Sequence, residues 1–117
     1  MGVIYHIAIA SEWAQAQRDG EYTTSTRGLT LQEQGYIHAS TAEQVAPVAN
    51  QFYKGLPDLL VLVIDTDRVG PEIRFEQVPG WETPFPHIYG PLNVGAVTGA
   101  RPLGSGPDGE FTFQRGL

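Results

Sequence analysis

The chain has 117 residues, no cysteine and a formal charge of −6, from 7 basic and 13 acidic side chains. Without cysteine there is no disulfide and no thiolate metal ligand, a composition that fits a reducing cytoplasm. The basic residues (Arg18, Arg27, Lys54, Arg68, Arg74, Arg101, Arg115) are scattered rather than gathered into the stripe of a nucleic-acid binder. The longest apolar run, Leu59 to Ile64, falls far short of the ~20 residues that span a bilayer. The Met1–His6 start has neither the basic nor the apolar part of a signal peptide. These features predict a single domain over 1–117, cytoplasmic and off the membrane.

In chain order, Val3 to Ala8 reads as a first strand. Ser11 is a candidate N-cap for a short helix over 12–18 that stops at Gly20, with Trp13 and Ala16 on its buried face. Residues 21–34 are polar and aperiodic, so they read as an irregular loop. Gly35 to Thr41 reads as a short strand running into a helix. Its capping box is either Thr41 with Gln44 or Ser40 with Glu43. Val45, Val48, Ala49, Phe52 and Tyr53 form the core stripe of that helix, Pro47 predicts a kink, and Gly55 and Pro57 end it.

Leu59 to Ile64 is apolar on both faces and predicts a central strand. Glu72 to Glu76 alternates as a half-buried or edge strand does. A loop rich in Pro and Gly follows, from Pro79 to Pro91. Val94 to Leu103 reads as a strand with bulges at Gly95 and Gly99, and Glu110 to Phe113 as a last strand after the turn at 106–109. Strands dominate the second half, which predicts an α+β fold rather than a doubly wound sheet.

All three histidines lie next to, or one residue away from aromatic-bearing motifs: Tyr5-His6, Gly35-Tyr36-Ile37-His38-Ala39-Ser40-Thr41, and Phe85-Pro86-His87-Ile88-Tyr89-Gly90-Pro91-Leu92. A buried imidazole needs partners for both ring nitrogens, at a cost of about 1–3 kcal/mol for each one left unsatisfied. Three such histidines predict a shared pocket.

Together these segments resemble the bacterial "domain of unknown function 952" family, over Ile4 to about Leu103. The resemblance implies a compact ADP-ribosyltransferase-like fold of small antiparallel sheets with two or three short helices. It implies a cleft that cradles NAD or a similar small-molecule nucleotide, with ADP-ribosyl transfer or NAD glycohydrolysis as the activity. It places His6 at a ribose and His38 with Tyr36 near the nicotinamide, followed by Ser40 and Thr41. The sequence departs from the superfamily pattern at the third position, often a glutamate. Glu76 is the candidate there, and His87 and Tyr89 are near enough in sequence to occupy the cleft instead.

The chemistry agrees with the resemblance. Breaking an N-glycosidic bond builds positive charge on the ribose, which a carboxylate stabilises. Neutral imidazoles bond ribose hydroxyls, and tyrosine rings stack on bases. With no glycine-rich phosphate loop, a pyrophosphate would fall to backbone amides or one arginine. Two other readings compete: a non-catalytic module that binds a nucleotide or a protein, and a metal site formed by His6, His38 and His87.

Overall fold

The computed structural model describes residues 2–114. Among them, ten short strands and three α-helices form a compact α+β arrangement of small antiparallel sheets.

The first sheet is β1 (Val3–Ile9), β6 (Leu59–Asp65) and β10 (Val97–Leu103), with β6 in the centre. Antiparallel partners flank β6 on both sides, from Ile4↔Ile64 through Ile9↔Leu59 and from Val97↔Ile64 through Leu103↔Leu59. Its sequence is apolar on both faces because a core cluster covers each: Leu62 and Ile64 pack into one, Leu59 and Val61 into the other. Of the bulges expected at Gly95 and Gly99, the second is a register shift between Val97 and Gly99, whereas Gly95 lies in a 3-10 turn, Val94–Ala96, ahead of β10.

The second sheet is β5 (Ile37–His38), β8 (Phe85–Ile88) and β7 (Ile73–Glu76), with β8 in the centre. Here the structure corrects the reading of the Pro-rich segment as loop throughout. Proline normally avoids a central strand because it lacks an N–H. Pro86 is tolerated because its carbonyl, and hence its missing donor, faces the β5 side beyond that strand's last residue. There the carbonyl accepts from Ala39 N–H at 3.0 Å. Tyr5 and Ser40 join the two sheets by a reciprocal backbone pair, at 2.8 and 2.7 Å.

Residues 21–34 are more ordered than their composition suggested. They hold β2 (Glu21–Tyr22), β3 (Thr24–Thr26), β4 (Leu29–Thr30) and the four-residue helix α2 (Leu31–Gln34), capped by Thr30 and Glu33. β2 pairs with β9 (Leu92–Asn93), and β3 with β4. Two-residue strands leave too short a hydrophobic alternation to be seen in sequence.

Helix α1 spans Ala10–Asp19, starting straight from β1 with Ile9 as N-cap. Ser11 lies inside it and does not cap it. Gly20, at φ 88°, ends it as predicted. Helix α3 spans Ala42–Phe52, and Thr41 N–H donates to Gln44 Oε1 at 2.9 Å, the Thr41–Gln44 alternative of the two capping boxes. Pro47 sits inside α3.

The expected last strand is a single bridge, Ser105↔Phe111. A side chain takes the place of a partner strand: Phe111 N–H donates to Asn50 Oδ1 at 2.7 Å, and Asn50 Nδ2 donates to Phe111 O at 3.1 Å. Among the described residues, no helix is long and apolar enough to cross a membrane.

Candidate functional site

Register decides which side chains share a face of the second sheet. His38 lies opposite His87, which lies opposite Arg74, and Glu76 lies opposite Phe85. Directly paired residues share a face, and so do residues two apart along a strand. One face therefore carries His38, Phe85, His87, Arg74 and Glu76, with Tyr36 and Tyr89 continuing it beyond the strand ends. The other face carries Ile37, Ile73 and Ile88 toward the core. The polar set of the motifs is one sheet face.

On that face His87 is 2% exposed, and its Nδ1 lies 2.8 Å from Glu76 Oε1. Tyr89 O–H donates to the same carboxylate oxygen. These two bonds, that from Tyr89 first, hold the Glu76 carboxyl below its ordinary range. The bond to Glu76 raises the Tyr89 hydroxyl in turn. Arg74 lies over the Tyr89 ring, 4.5 Å from its centroid, and pairs with Glu72 at 3.1 Å. Tyr36 stacks on His87 with centroids 3.9 Å apart and planes 18° from parallel. Gln34 Nε2 donates to the Tyr36 hydroxyl at 2.9 Å.

The His38 ring lies 5.4 Å from that of His87 and 4.7 Å from that of Phe85. Burial, reinforced by the nearby His6 and His87 imidazoles, lowers its pKa from 6.5 to about 3, so it is neutral at pH 7. The Nε2 atoms of His38 and His87 are both buried, and neither has a hydrogen-bond partner among the described residues.

A cleft of about 360 Å³ opens beside this face, lined by Thr26, Arg27, Gln34, Tyr36, His38, Phe52, Val78 and Trp81. Several elements converge to form it. Arg27 sits in the β3–β4 turn, where its N–H donates to Tyr53 O–H at 3.1 Å and its guanidinium reaches Phe52 O at 3.4 Å. Phe52, read from the helical stripe as core, is 45% exposed and forms a wall. Trp81 comes from the Pro-rich segment, packed edge-on against Phe85 at 5.1 Å. The buried Gln44 pins that segment by donating to Thr83 Oγ1 at 2.8 Å and Pro84 O at 2.9 Å.

Of the residues expected at the site, Tyr36 and His38 line the cleft, and His87, Glu76 and Tyr89 form a connected set beside them. His6 does not reach the cleft. It is 2% exposed, its Nδ1 lies 2.6 Å from His38 O, and its Nε2 lies 3.1 Å from the Tyr22 hydroxyl. The carbonyl only accepts, so Nδ1–H donates and Nε2 accepts from Tyr22 O–H. Burial lowers the His6 pKa from 6.5 to about 4. Engaged at both nitrogens, His6 is unavailable to a metal, which corrects the three-histidine metal reading. Among the described residues, no group of three or more His, Asp or Glu side chains is placed to hold one. Ser40 is buried in the pairing with Tyr5, and Thr41 caps α3. His38 N–H donates to the fully buried Ser25 Oγ at 3.2 Å, a contact no motif announced.

Residues 7–100 match the family described as "Protein of unknown function (DUF952)". The chain belongs to this family. It is also similar to the protein CC0527 from Caulobacter crescentus. The crystal structure of that protein matches at 29% identity with a TM-score of 0.83, covering 95% of this chain and 94% of that one. A crystal structure of a double mutant of CC0527 gives 30% identity, a TM-score of 0.82 and the same coverage. The solution structure gives 31%, 0.77, and 94% and 91%. No curated protein matches the chain.

Proposed function

We propose that the cleft binds a nucleotide of the NAD or ADP-ribose class, on a variant of the ADP-ribosyltransferase-like fold, and turns it over by ADP-ribosyl transfer or hydrolysis. The observation that carries this reading is the combination lining one cleft: aromatic walls from Tyr36, Phe52 and Trp81, an exposed cation at Arg27, and neutral His38 between them. Each matches one part of a nucleotide. The rings suit a nicotinamide or adenine, at about 1–3 kcal/mol per stacked base. Arg27 suits a phosphate, and in a chain of charge −6 it is the attraction an anionic ligand would depend on. His38 suits a ribose hydroxyl. The volume suits one nucleoside half of a dinucleotide. In this proposal Ser40, Thr41 and His6 fix the strand that carries His38, and Glu76 and Tyr89 hold His87.

Calorimetry with NAD, ADP-ribose and adenosine tests it. The two phosphorylated ligands should bind to Arg27→Ala about 10–100 times more weakly than to the unaltered chain, with adenosine unchanged. Equal affinities for both forms of the protein would remove Arg27, and with it the nucleotide reading. A second reading, binding without turnover, is favoured by the Tyr36 ring lying over His87. Release of nicotinamide from NAD by the unaltered chain decides between the two.

A further inference from the structure

The Glu76–His87 pair has a polarity that follows from its partners. An ionised carboxylate only accepts, so the hydrogen between Glu76 Oε1 and His87 Nδ1, 2.8 Å apart, belongs to the imidazole. In the neutral ring Nε2 is then a bare acceptor. That acceptor is buried, lacks a partner among the described residues, and belongs to a residue 2% exposed. Among the described residues nothing donates to it, and the neighbouring imidazole on the same face, His38, has an unpartnered Nε2 of its own. A buried acceptor fixed in this way can take a hydrogen from a guest.

We propose that Glu76 and His87 are the proton-accepting pair of this site, receiving a proton from a hydroxyl group or water that reaches His87 Nε2 at the edge of the ring, beside the stacked Tyr36. The inference rests on the nucleotide reading of the adjacent cleft and gives it a direction. The guest must bring a donor to His87 Nε2, so the class it takes is an alcohol or water acting as acceptor of the transferred group. In the step itself the O–H bond breaks, its electron pair stays on oxygen, and the proton moves to His87 Nε2. The resulting imidazolium faces the Glu76 carboxylate through its Nδ1–H. Glu76 touches no guest; it is a positioning residue that fixes the ring and stabilises its charged form. Tyr89, donating to Glu76, and Arg74, lying over Tyr89, hold that carboxylate in turn.

Tyr36 is the cover. It is half-buried, stacks on His87 almost in parallel, and has one side-chain hydrogen bond, from Gln34. It also lines the cleft. A ligand that displaces this ring gains the stacking place on His87, next to the ring edge that carries Nε2.

Nitrogen-15 NMR of the histidine rings tests the pair without any turnover assay. In the unaltered chain at pH 7.5, His87 should carry its hydrogen on Nδ1 with Nε2 bare. In Glu76→Ala the population should move toward the form protonated on Nε2. Adding ADP-ribose should shift His87 Nε2 together with the Tyr36 ring. A hydrogen found on His87 Nε2 in the unaltered chain would overturn the proposal, whatever binds. So would ADP-ribose that moves Trp81 and Tyr36 but leaves His87 Nε2 unchanged, and in that case the nucleotide reading would survive. If neither NAD nor ADP-ribose shifts any cleft residue, both fall together.

Discussion

Acid should unfold this protein unusually early, because two of its histidines are neutral when folded. His6 is lowered from 6.5 to about 4 and His38 from 6.5 to about 3, both chiefly by desolvation. As pH falls below 6.5 the unfolded chain takes up protons at these rings and the folded chain does not. Stability present above that pH is therefore lost on the way down, until the folded rings protonate as well. Each histidine contributes about 1.4 kcal/mol per pH unit, or about 2 kcal/mol between pH 6.5 and 5. The two together lose about 4 kcal/mol, a large share of the ~5–15 kcal/mol that holds a typical domain folded. Glu33, Glu72 and Glu76, held below their usual 4.5, add their losses only at lower pH, so this window isolates the histidines. Urea unfolding at pH 7.0, 6.0 and 5.0 measures the slope. His38→Gln should remove about half of it while leaving a folded protein at pH 7. A flat profile, or a slope that His38→Gln leaves intact, would refute the claim that these rings are buried and neutral.

Asn50→Ala should cost about 2–4 kcal/mol, because both amide bonds to Phe111 are lost and its buried backbone is left unpaired. Hydrogen exchange should speed at the Phe111 amide before it speeds in β6. Gly90→Ala should cost about 1–3 kcal/mol, since a Cβ there would stand 2.9 Å from Pro71 Cβ and Cγ. Its effect should extend to Tyr89, whose hydroxyl should lose part of the shift imposed by Glu76, as read by ultraviolet titration of the tyrosines.

The long apolar strand, the helix stripe and the Gly20 stop were legible because each follows from a period or a residue with fixed backbone demands. The central β8 was not, since two prolines and a histidine motif hide a strand whose missing donor falls beyond the end of β5. The last strand misled for the opposite reason: Phe111 and Phe113 alternate correctly, but Asn50 supplies the backbone bonds that a partner strand would have made. At the site, His38, Tyr36, His87, Glu76 and Tyr89 announced themselves through motif and strand. That His6 is sealed by Tyr22 could not be read, because the two-residue β2 that carries Tyr22 has no pattern of its own. Arg27, Phe52 and Trp81 come from a turn, a helix end and an irregular segment. Only the fold brings them together, and in sequence Phe52 resembled core.

The most direct test of the proposal that the cleft binds a nucleotide is a titration of the isotope-labelled chain with ADP-ribose, followed by NMR. Saturable shifts at Arg27, Tyr36, His38 and Trp81, abolished or much weakened by Trp81→Ala, are the predicted result. No saturable shift at millimolar ligand, or shifts confined to residues away from these four, would contradict it.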